Sequence, residues 1–250
     1  MDWRLIPYLN TDGITQMAID QWLFDQCHHN NHPPTLRFYT WTPAAISLGR
    51  NQLTWPQHWQ DLTWQGSPID LVRRPTGGRA VLHEGDLTYG LTLPHPHRNR
   101  RQAYEDLCQF LIQGWRELGI NLHFGEPRRN YAQKASCFAT ATNADLVLDN
   151  GCKLIGSAQA WQGQTVLQHG SMRLNPSPTL AEQVFGESTN LPEKDTTLLQ
   201  QPEEAIISAL IEAAKTCFEA IFTCEPLSPK ELAAIKQVKA TPIENHIAGN

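Results

Sequence analysis

The sequence predicts an α+β fold, a mixed or antiparallel sheet flanked by helices. Two observations carry this. Segments of period two crowd the middle of the chain, with segments of helical period on either side. There is also no regular strand–helix–strand alternation of the kind a parallel sheet requires. With 250 residues, 40% hydrophobic content and eight Trp, the chain can bury one full core, so one large domain with at most a small appendage is expected.

Residues 14–24, ITQMAIDQWLF, place Ile14, Met17, Ala18 and Trp22 on one helical face, with Thr11 or Asp12 available as a cap. TLRFYTW alternates Leu36 and Phe38 against Arg37, Tyr39 and Trp41 and reads as a strand. DLTYGLTL alternates more cleanly, with Leu87, Tyr89, Leu91 and Leu93 facing one way and Thr88, Gly90 and Thr92 the other. A helix over about 102–118 carries the stripe Ala103, Tyr104, Leu107, Cys108, Leu111, Trp115 and Leu118, and Gly119 stops it. Residues 145–174 read as a meander of three strands, turned by DNG at 149–151 and QG at 162–163, and ended by Pro176 and Pro178. A polar stretch leads to a helix near 203–222 with Ile206, Leu210, Ala213, Ala214, Cys217 and Ile221 on its stripe. LSPKELAAIKQ then starts a short helix with Ser228 as cap and Pro229 at its first position.

Bulk properties exclude some classes of function. A formal net charge of −5 disfavours wholesale nucleic-acid binding, though it leaves room for a local basic patch. The opening MDWRLIPYLN lacks a secretory layout, and no apolar run approaches the ~18 residues of a membrane span, so a soluble cytoplasmic chain is expected. The six cysteines include no C-x-x-C pair, so no metal site is expected, and a reducing compartment argues against a disulfide framework.

Cys108 and Cys217 fall on helical stripes and Cys152 alternates with Leu154 on a strand; all three read as packing residues. Cys27 and Cys224 sit near element ends. Cys137 differs, because it precedes the meander in a segment of small polar residues. Lys153 follows one strand and a turn later, where antiparallel pairing can return it towards Cys137. A nearby ammonium would raise the thiolate fraction of a thiol whose ordinary pKa is ~8.5. On type alone, a loop cysteine and a solvated strand lysine remain the simpler reading. A lone strand His, such as His83, is likewise more often structural than chemical, and His169 shares the ambiguity.

Five motifs then occur in order: MAIDQWLF at 17–24, TLRFYTWTPAAISLGRNQ at 35–52, RRPTGGRAVLHEGDLTYGLTLP at 73–94, SCFATATNADLVLDNGCKLIGSAQ at 136–159 and LQHGSMRL at 167–174. Together they resemble the catalytic domain of the lipoate–protein ligase A family, from about residue 3 to 222. The resemblance implies a fold related to the class II aminoacyl-tRNA synthetase and biotin ligase core. It also implies a catalytic domain over 1–225, with residues 226–250 a short helix and tail and no accessory domain. SCF, GSAQ and LQHGS resemble the octanoyltransferase branch. Two departures from that branch are the absence of Pro in 139–144 and of an Arg soon after SAQ, where Ala160 and Trp161 stand.

The implied activity is transfer of an octanoyl or lipoyl group from acyl carrier protein, through a thioester on Cys137, to a lysine of a lipoyl domain. The acceptor would be a 2-oxoacid dehydrogenase or the glycine cleavage H protein. A thioester donor is already activated, so no cofactor is expected. ATP enters only if the chain is instead a lipoate–protein ligase. An amidotransferase between lipoyl domains and a non-enzymatic lipoyl-domain binder are the other readings. Lys153 is expected to orient the acyl carbonyl and stabilise developing charge. Arg73, Gly77, Gly78, Arg79 and His83 in the glycine-containing loop region, Gly156, Ser157 and Gln159 in GSAQ, and His169 and Gly170 in QHGS are expected to bind substrate. Leu82, Tyr89 and Ile155 are expected to line an acyl tunnel, where each buried CH₂ contributes ~0.8 kcal/mol. Arg98, Arg100, Arg101, Arg128 and Arg129 form a candidate patch for the acidic carrier protein. A monomer is expected.

Overall fold

The computed structural model describes residues 2–29, 31–95, 99–125, 145–186 and 201–238. Cys137, Arg98, Arg128 and Arg129 lie outside them. Thirteen strands are described: β1 (Asp2–Thr11), β2 (Thr35–Trp41), β3 (Ala45–Leu48), β4 (Thr63–Trp64), β5 (Ser67–Pro68), β6 (Asp70–Arg73), β7 (Val81–His83), β8 (Asp86–Pro94), β9 (His123–Phe124), β10 (Asp145–Val147), β11 (Lys153–Gln162), β12 (Thr165–Arg173) and β13 (Ile221–Cys224). The described α-helices are α1 (Gly13–His28), α2 (Arg100–Glu117), α3 (Pro178–Phe185), α4 (Glu203–Phe218) and α5 (Pro229–Ile235).

Eight strands form a mixed sheet in the order β13-β1-β2-β8-β12-β11-β10-β9. The pairs β13–β1 and β1–β2 are parallel and the rest antiparallel. Pro7, which has no N–H to donate, sits where the β1–β2 register shifts between Ile6 and Leu9. A second sheet, β6-β3-β7, lies apart from the first.

The central strands are buried on both faces. Along β8, Leu87, Tyr89, Leu91 and Leu93 join Leu36 and Phe38 of β2 in the main core, together with Leu107, Leu111 and Trp115 of α2 and Leu210 of α4. At ~25 cal/mol per Å² of apolar area removed from water, this layer is the main source of stability. The opposite face meets α1, whose Asp12 cap accepts from Thr15 N at 2.9 Å. Ten of the sixteen α1 residues are buried, including Gln16 and Asp20, so this helix carries polar groups into the interior.

Two sequence expectations need correcting. Ile14 is 57% exposed rather than on the buried face, which runs through Met17, Ile19, Trp22 and Leu23. Helix α4 ends at Phe218, because Glu219 adopts a left-handed conformation (φ 48°) and turns the chain into β13. Ile221 therefore lies on an edge strand and is 68% exposed. Helix α5 has the expected Ser228 cap and Pro229 start, reinforced by a reciprocal Glu231 bond to the Ser228 N–H. Buried Arg4 of β1 grips it, with Nη1 and Nη2 at 2.6 and 3.0 Å from the Glu231 carboxylate.

Candidate active site

A cavity lies between the large sheet's α1 face and the small sheet. It holds about 580 Å³ of space unoccupied by protein atoms, part of it open to solvent. Met17 of α1, Tyr39 and Trp41 of β2, and Val81 of β7 give it apolar wall. Ser47, Arg74, His83, Thr88, Asp145, Ser157, His169 and Ser171 bring polar groups. Gly77, Gly78, Gly156 and Gly170 let backbone form part of the wall.

Strand parity places these groups. Thr88, Ser171 and Gly156 stand opposite one another across β8, β12 and β11, as do Gly90, His169 and Ala158. This is the polar set that the alternation of DLTYGLTL separates from its leucines. The expected tunnel residues sit on the other parity. Tyr89 and Ile155 belong to the helix-packed core, and Leu82 packs in the small-sheet cluster with Ile46 and Trp59. In each case an adjacent residue lines the cavity instead: Thr88, Gly156, and Val81 with His83.

The loop after β6 is pinned by Arg74. Its Nη1 donates to Ser47 O at 2.7 Å, and its Nη2 donates to Gly77 O and Arg79 O, both at 2.7 Å. Gly78 needs its φ of 100°, and a Cβ there would sit 2.7 Å from Arg74 Nη2. The adjacent Arg73, which was expected to bind substrate, instead donates to Gly49 O and Gln52 O at 3.0 and 2.6 Å. It is not in the cavity wall. Arg79 contributes its backbone carbonyl to the Arg74 clamp and likewise stands outside the wall.

Lys153 is one contact removed from the cavity. Its Nζ lies 2.7 Å from Asp145 Oδ1, with side-chain exposures of 2 and 5%. The hairpin makes this contact: Asp145 pairs with Gly156 across β10–β11, three residues from Lys153. Gly156 clears the path, since a Cβ there would be 2.8 and 2.9 Å from Lys153 Cε and Nζ. A buried ammonium is tolerated because the carboxylate neutralises it. Asp145, which the sequence reading missed, opens the meander as an acidic residue before the apolar run LVL.

Two imidazoles face the cavity, each held at both nitrogens. His169 Nδ1 is 2.7 Å from Asp20 Oδ2 and its Nε2 is 2.6 Å from Thr76 Oγ1. Asp20 also meets Arg37 Nε at 3.1 Å and accepts from Tyr39 Oη at 2.9 Å. Burial holds His169 below the ordinary imidazole pKa against the opposing pull of Asp20. Burial pulls the Asp20 carboxyl upward, but Arg37 and His169 together leave it below its ordinary value. Carboxylate oxygens only accept, so His169 Nδ1 carries the proton and Thr76 donates to Nε2. Similarly, His83 Nδ1 is 2.8 Å from Asp86 Oδ2 and its Nε2 is 2.8 Å from Ser47 Oγ. Trp41 stacks on the His83 ring with centroids 3.9 Å apart.

A third polar thread reaches Ser157. Trp161 Nε1 donates to Gln159 Oε1 at 3.0 Å, Gln159 to Gln168 at 2.8 Å, Gln168 to Tyr89 Oη at 2.9 Å, and Tyr89 to Ser157 Oγ at 2.8 Å. Gln159 thus supports the site from outside the wall, while Ser157, Gly156, His169 and Gly170 are in it. No cysteine among the described residues lines the cavity. Burial pushes the Cys27 thiol up to about 11 and the Cys108 thiol up to about 12.

Residues 12–211 match the model of the lipoyl protein ligase A/B catalytic domain. The chain belongs to this family. Among similar proteins, octanoyltransferase LipM of Carboxydothermus hydrogenoformans is 37% identical over 175 residues, and that of Staphylococcus aureus 35% over 181 residues. Each match covers 68% of this chain and just under two thirds of the relative, 64 and 65%. A T. acidophilum protein solved with bound lipoic acid superposes with a TM-score of 0.79 at 20% identity, covering 95% of both chains. Lipoate-protein ligase A bound with ATP gives 0.77 at 20% identity, covering 95% of this chain and 94% of that one. At that identity the likeness shows the fold alone, a mixed sheet flanked by helices.

Proposed function

We propose that this family member is an octanoyltransferase acting in protein lipoylation. It moves an octanoyl or lipoyl group from acyl carrier protein, through a thioester on Cys137, to a lysine of a lipoyl domain. The observation that carries the reading is the similarity to LipM octanoyltransferases, at 37 and 35% identity over 68% of the chain. The geometry fits it: a cavity with an apolar wall of Met17, Tyr39, Trp41 and Val81 beside hydroxyls and imidazoles, with a buried ammonium one contact away.

Chemically, Cys137 Sγ forms a bond to the acyl carbon as the carrier's S–C bond breaks. The carrier leaves as a thiol, taking the proton that Cys137 loses. The acceptor's amine then forms the amide, the Cys137 S–C bond breaks, and the amine's proton returns to sulfur. Two easier displacements replace one. Lys153, held by Asp145, stabilises negative charge on the thiolate and the tetrahedral oxygen. No nucleotide is needed, because the donor thioester is already activated. The acceptor is a 2-oxoacid dehydrogenase lipoyl domain or the glycine cleavage H protein. Exposed Arg100 and Arg101 at the start of α2 offer charge to an acidic carrier. The chain works as a cytoplasmic monomer, where thiols stay reduced.

Intact mass after incubation with octanoyl carrier protein tests the reading. One added octanoyl group without ATP, absent from Cys137→Ser, is expected. An ATP requirement and no adduct would make the chain a ligase. Loading from an octanoylated lipoyl domain alone would make it an amidotransferase.

A further inference from the structure

We infer that Ser47 and His83, oriented by Asp86, form the proton relay of the amide-forming half-reaction. The inference rests on the octanoyltransferase reading for the enzyme thioester; the relay joins Ser47, from the 35–52 segment, to His83 and Asp86 of the 73–94 segment. Ser47 is on β3, His83 on β7 and Asp86 at the start of β8. They meet because β3 and β7 pair, with Ala45 opposite His83 and Ser47 opposite Val81.

With one proton on the imidazole, donor chemistry sets the hydrogen-bond directions of this array. Asp86 Oδ2 accepts from Ser171 Oγ at 2.6 Å, Thr88 Oγ1 at 3.1 Å and His83 Nδ1 at 2.8 Å. Thr88 is committed to donating there because Trp41 Nε1, a donor only, points at its oxygen at 2.9 Å. His83 therefore keeps its proton on Nδ1 and presents a lone pair at Nε2. Ser47 Oγ, 2.8 Å away, donates to that lone pair and itself accepts from Arg74 Nη1 at 3.3 Å. The result is a serine hydroxyl in the cavity wall, backed by a base whose tautomer is set by a carboxylate. The same logic orders hydroxyl, imidazole and carboxylate in acyl-transfer enzymes.

The second half-reaction is the step that needs such a group. Attack by a lysine amine on a thioester gives a tetrahedral intermediate with positive nitrogen, from which the neutral amine is readily expelled again. Once the nitrogen loses a proton, the sulfur becomes the better leaving group. That proton passes to Ser47 Oγ as the Ser47 proton passes to His83 Nε2, and Asp86 faces the resulting imidazolium. When the S–C bond breaks, the proton returns along the same path to the departing sulfur, leaving a thiol, an amide and a neutral relay. The first half-reaction exchanges one sulfur for another and has no such demand.

The other imidazole is less suited to the role. Its hydroxyl partner Thr76 is not in the cavity wall, and its carboxylate Asp20 is already matched to the Arg37 guanidinium. Among the described residues the other partners of Asp86 are the Thr88 and Ser171 hydroxyls, so its charge is available to an imidazolium.

The test separates the half-reactions by intact mass. Enzyme is loaded from octanoyl carrier protein and freed of donor, and decay of the adduct is followed after adding a lipoyl domain. In His83→Gln, unloading is expected to slow about 100-fold or more, while loading slows about tenfold at most. Ser47→Ala is expected to show the same imbalance. In His83→Ala, added imidazole should restore unloading, an outcome a purely structural histidine would not give. Unloading at the wild-type rate, equal slowing of both steps, or absence of imidazole rescue overturns the relay. Failure of the wild-type protein to load at all overturns the octanoyltransferase reading itself, and the relay with it.

Discussion

Lys153 and Asp145 form a buried ion pair, Nζ to Oδ1 at 2.7 Å, across the β10–β11 hairpin. Removing one partner strands the other charge in the interior. Asp145→Leu alone is expected to cost about 3–5 kcal/mol of stability, whereas Asp145→Leu with Lys153→Met should cost much less than the two single changes summed. Urea unfolding of the four proteins measures this. Additive losses would mean that the two groups do not sense each other.

Two glycines of the wall should respond differently to alanine. At Gly156 the new methyl meets the flexible end of Lys153, which can shift slightly while keeping its contact with Asp145. Gly156→Ala should therefore lower activity by tenfold or more and shift stability by about 1 kcal/mol or less. At Gly170 the methyl would be 2.5 Å from Ser157 Oγ, 2.7 Å from the Tyr89 ring and 2.8 Å from Gly156 O, where backbone cannot yield. Gly170→Ala should destabilise by about 1–3 kcal/mol or more. Thermal melts beside activity assays separate the two effects.

Cysteine reactivity should follow burial. With thiols pushed up to about 11 and about 12, Cys27 and Cys108 are thiolate to only about one part in a thousand or less at pH 8. Brief iodoacetamide treatment of folded protein should leave both unlabelled and label exposed Cys224. Peptide mass mapping reads the pattern, and labelling of Cys108 in the native state would contradict the packing around α2.

Acid should loosen the α5 clamp. The hydrogen bond from Arg4, opposed by burial, brings the Glu231 carboxyl down to about 2. A depressed folded-state value means the stabilisation is complete above the unfolded value of about 4.5 and is lost as pH falls towards 2. The linked contribution is on the order of 2–3 kcal/mol. Glu231→Gln should be less stable at pH 7 and should flatten the acid limb of the stability profile between about pH 4.5 and 2. An unchanged limb would place the acid sensitivity elsewhere.

Much of the sheet was legible because its signals are local. DNG and QG turn the meander, Ser228 and Pro229 start α5, and the parity of DLTYGLTL divides core from cavity. What parity cannot say is which buried face is which. Tyr89 on β8 and Ile155 on β11 are buried, so they read as tunnel residues although they belong to the helix-packed core. The short strands β3, β6 and β7, three or four residues each, are too brief for periodicity to register, which hid Ser47 and the wall they form. The carboxylates were missed for another reason: Asp20 acquires meaning only through His169, 149 positions away. The family resemblance supplied the cavity's glycines and histidines, while the choice of Arg74 over Arg73 needed the three-dimensional clamp.

The first strand is sandwiched between β2 and β13, and its Arg4 is satisfied by Glu231. During synthesis on a ribosome, an early-made strand must therefore wait with one edge bare until residues more than two hundred positions later emerge. A nascent chain halted before residue 221 would expose that edge and a stranded guanidinium, the features a chaperone would shield. The sheet is thus completed by residues far along the chain, and a lesion in α5 would be felt at β1.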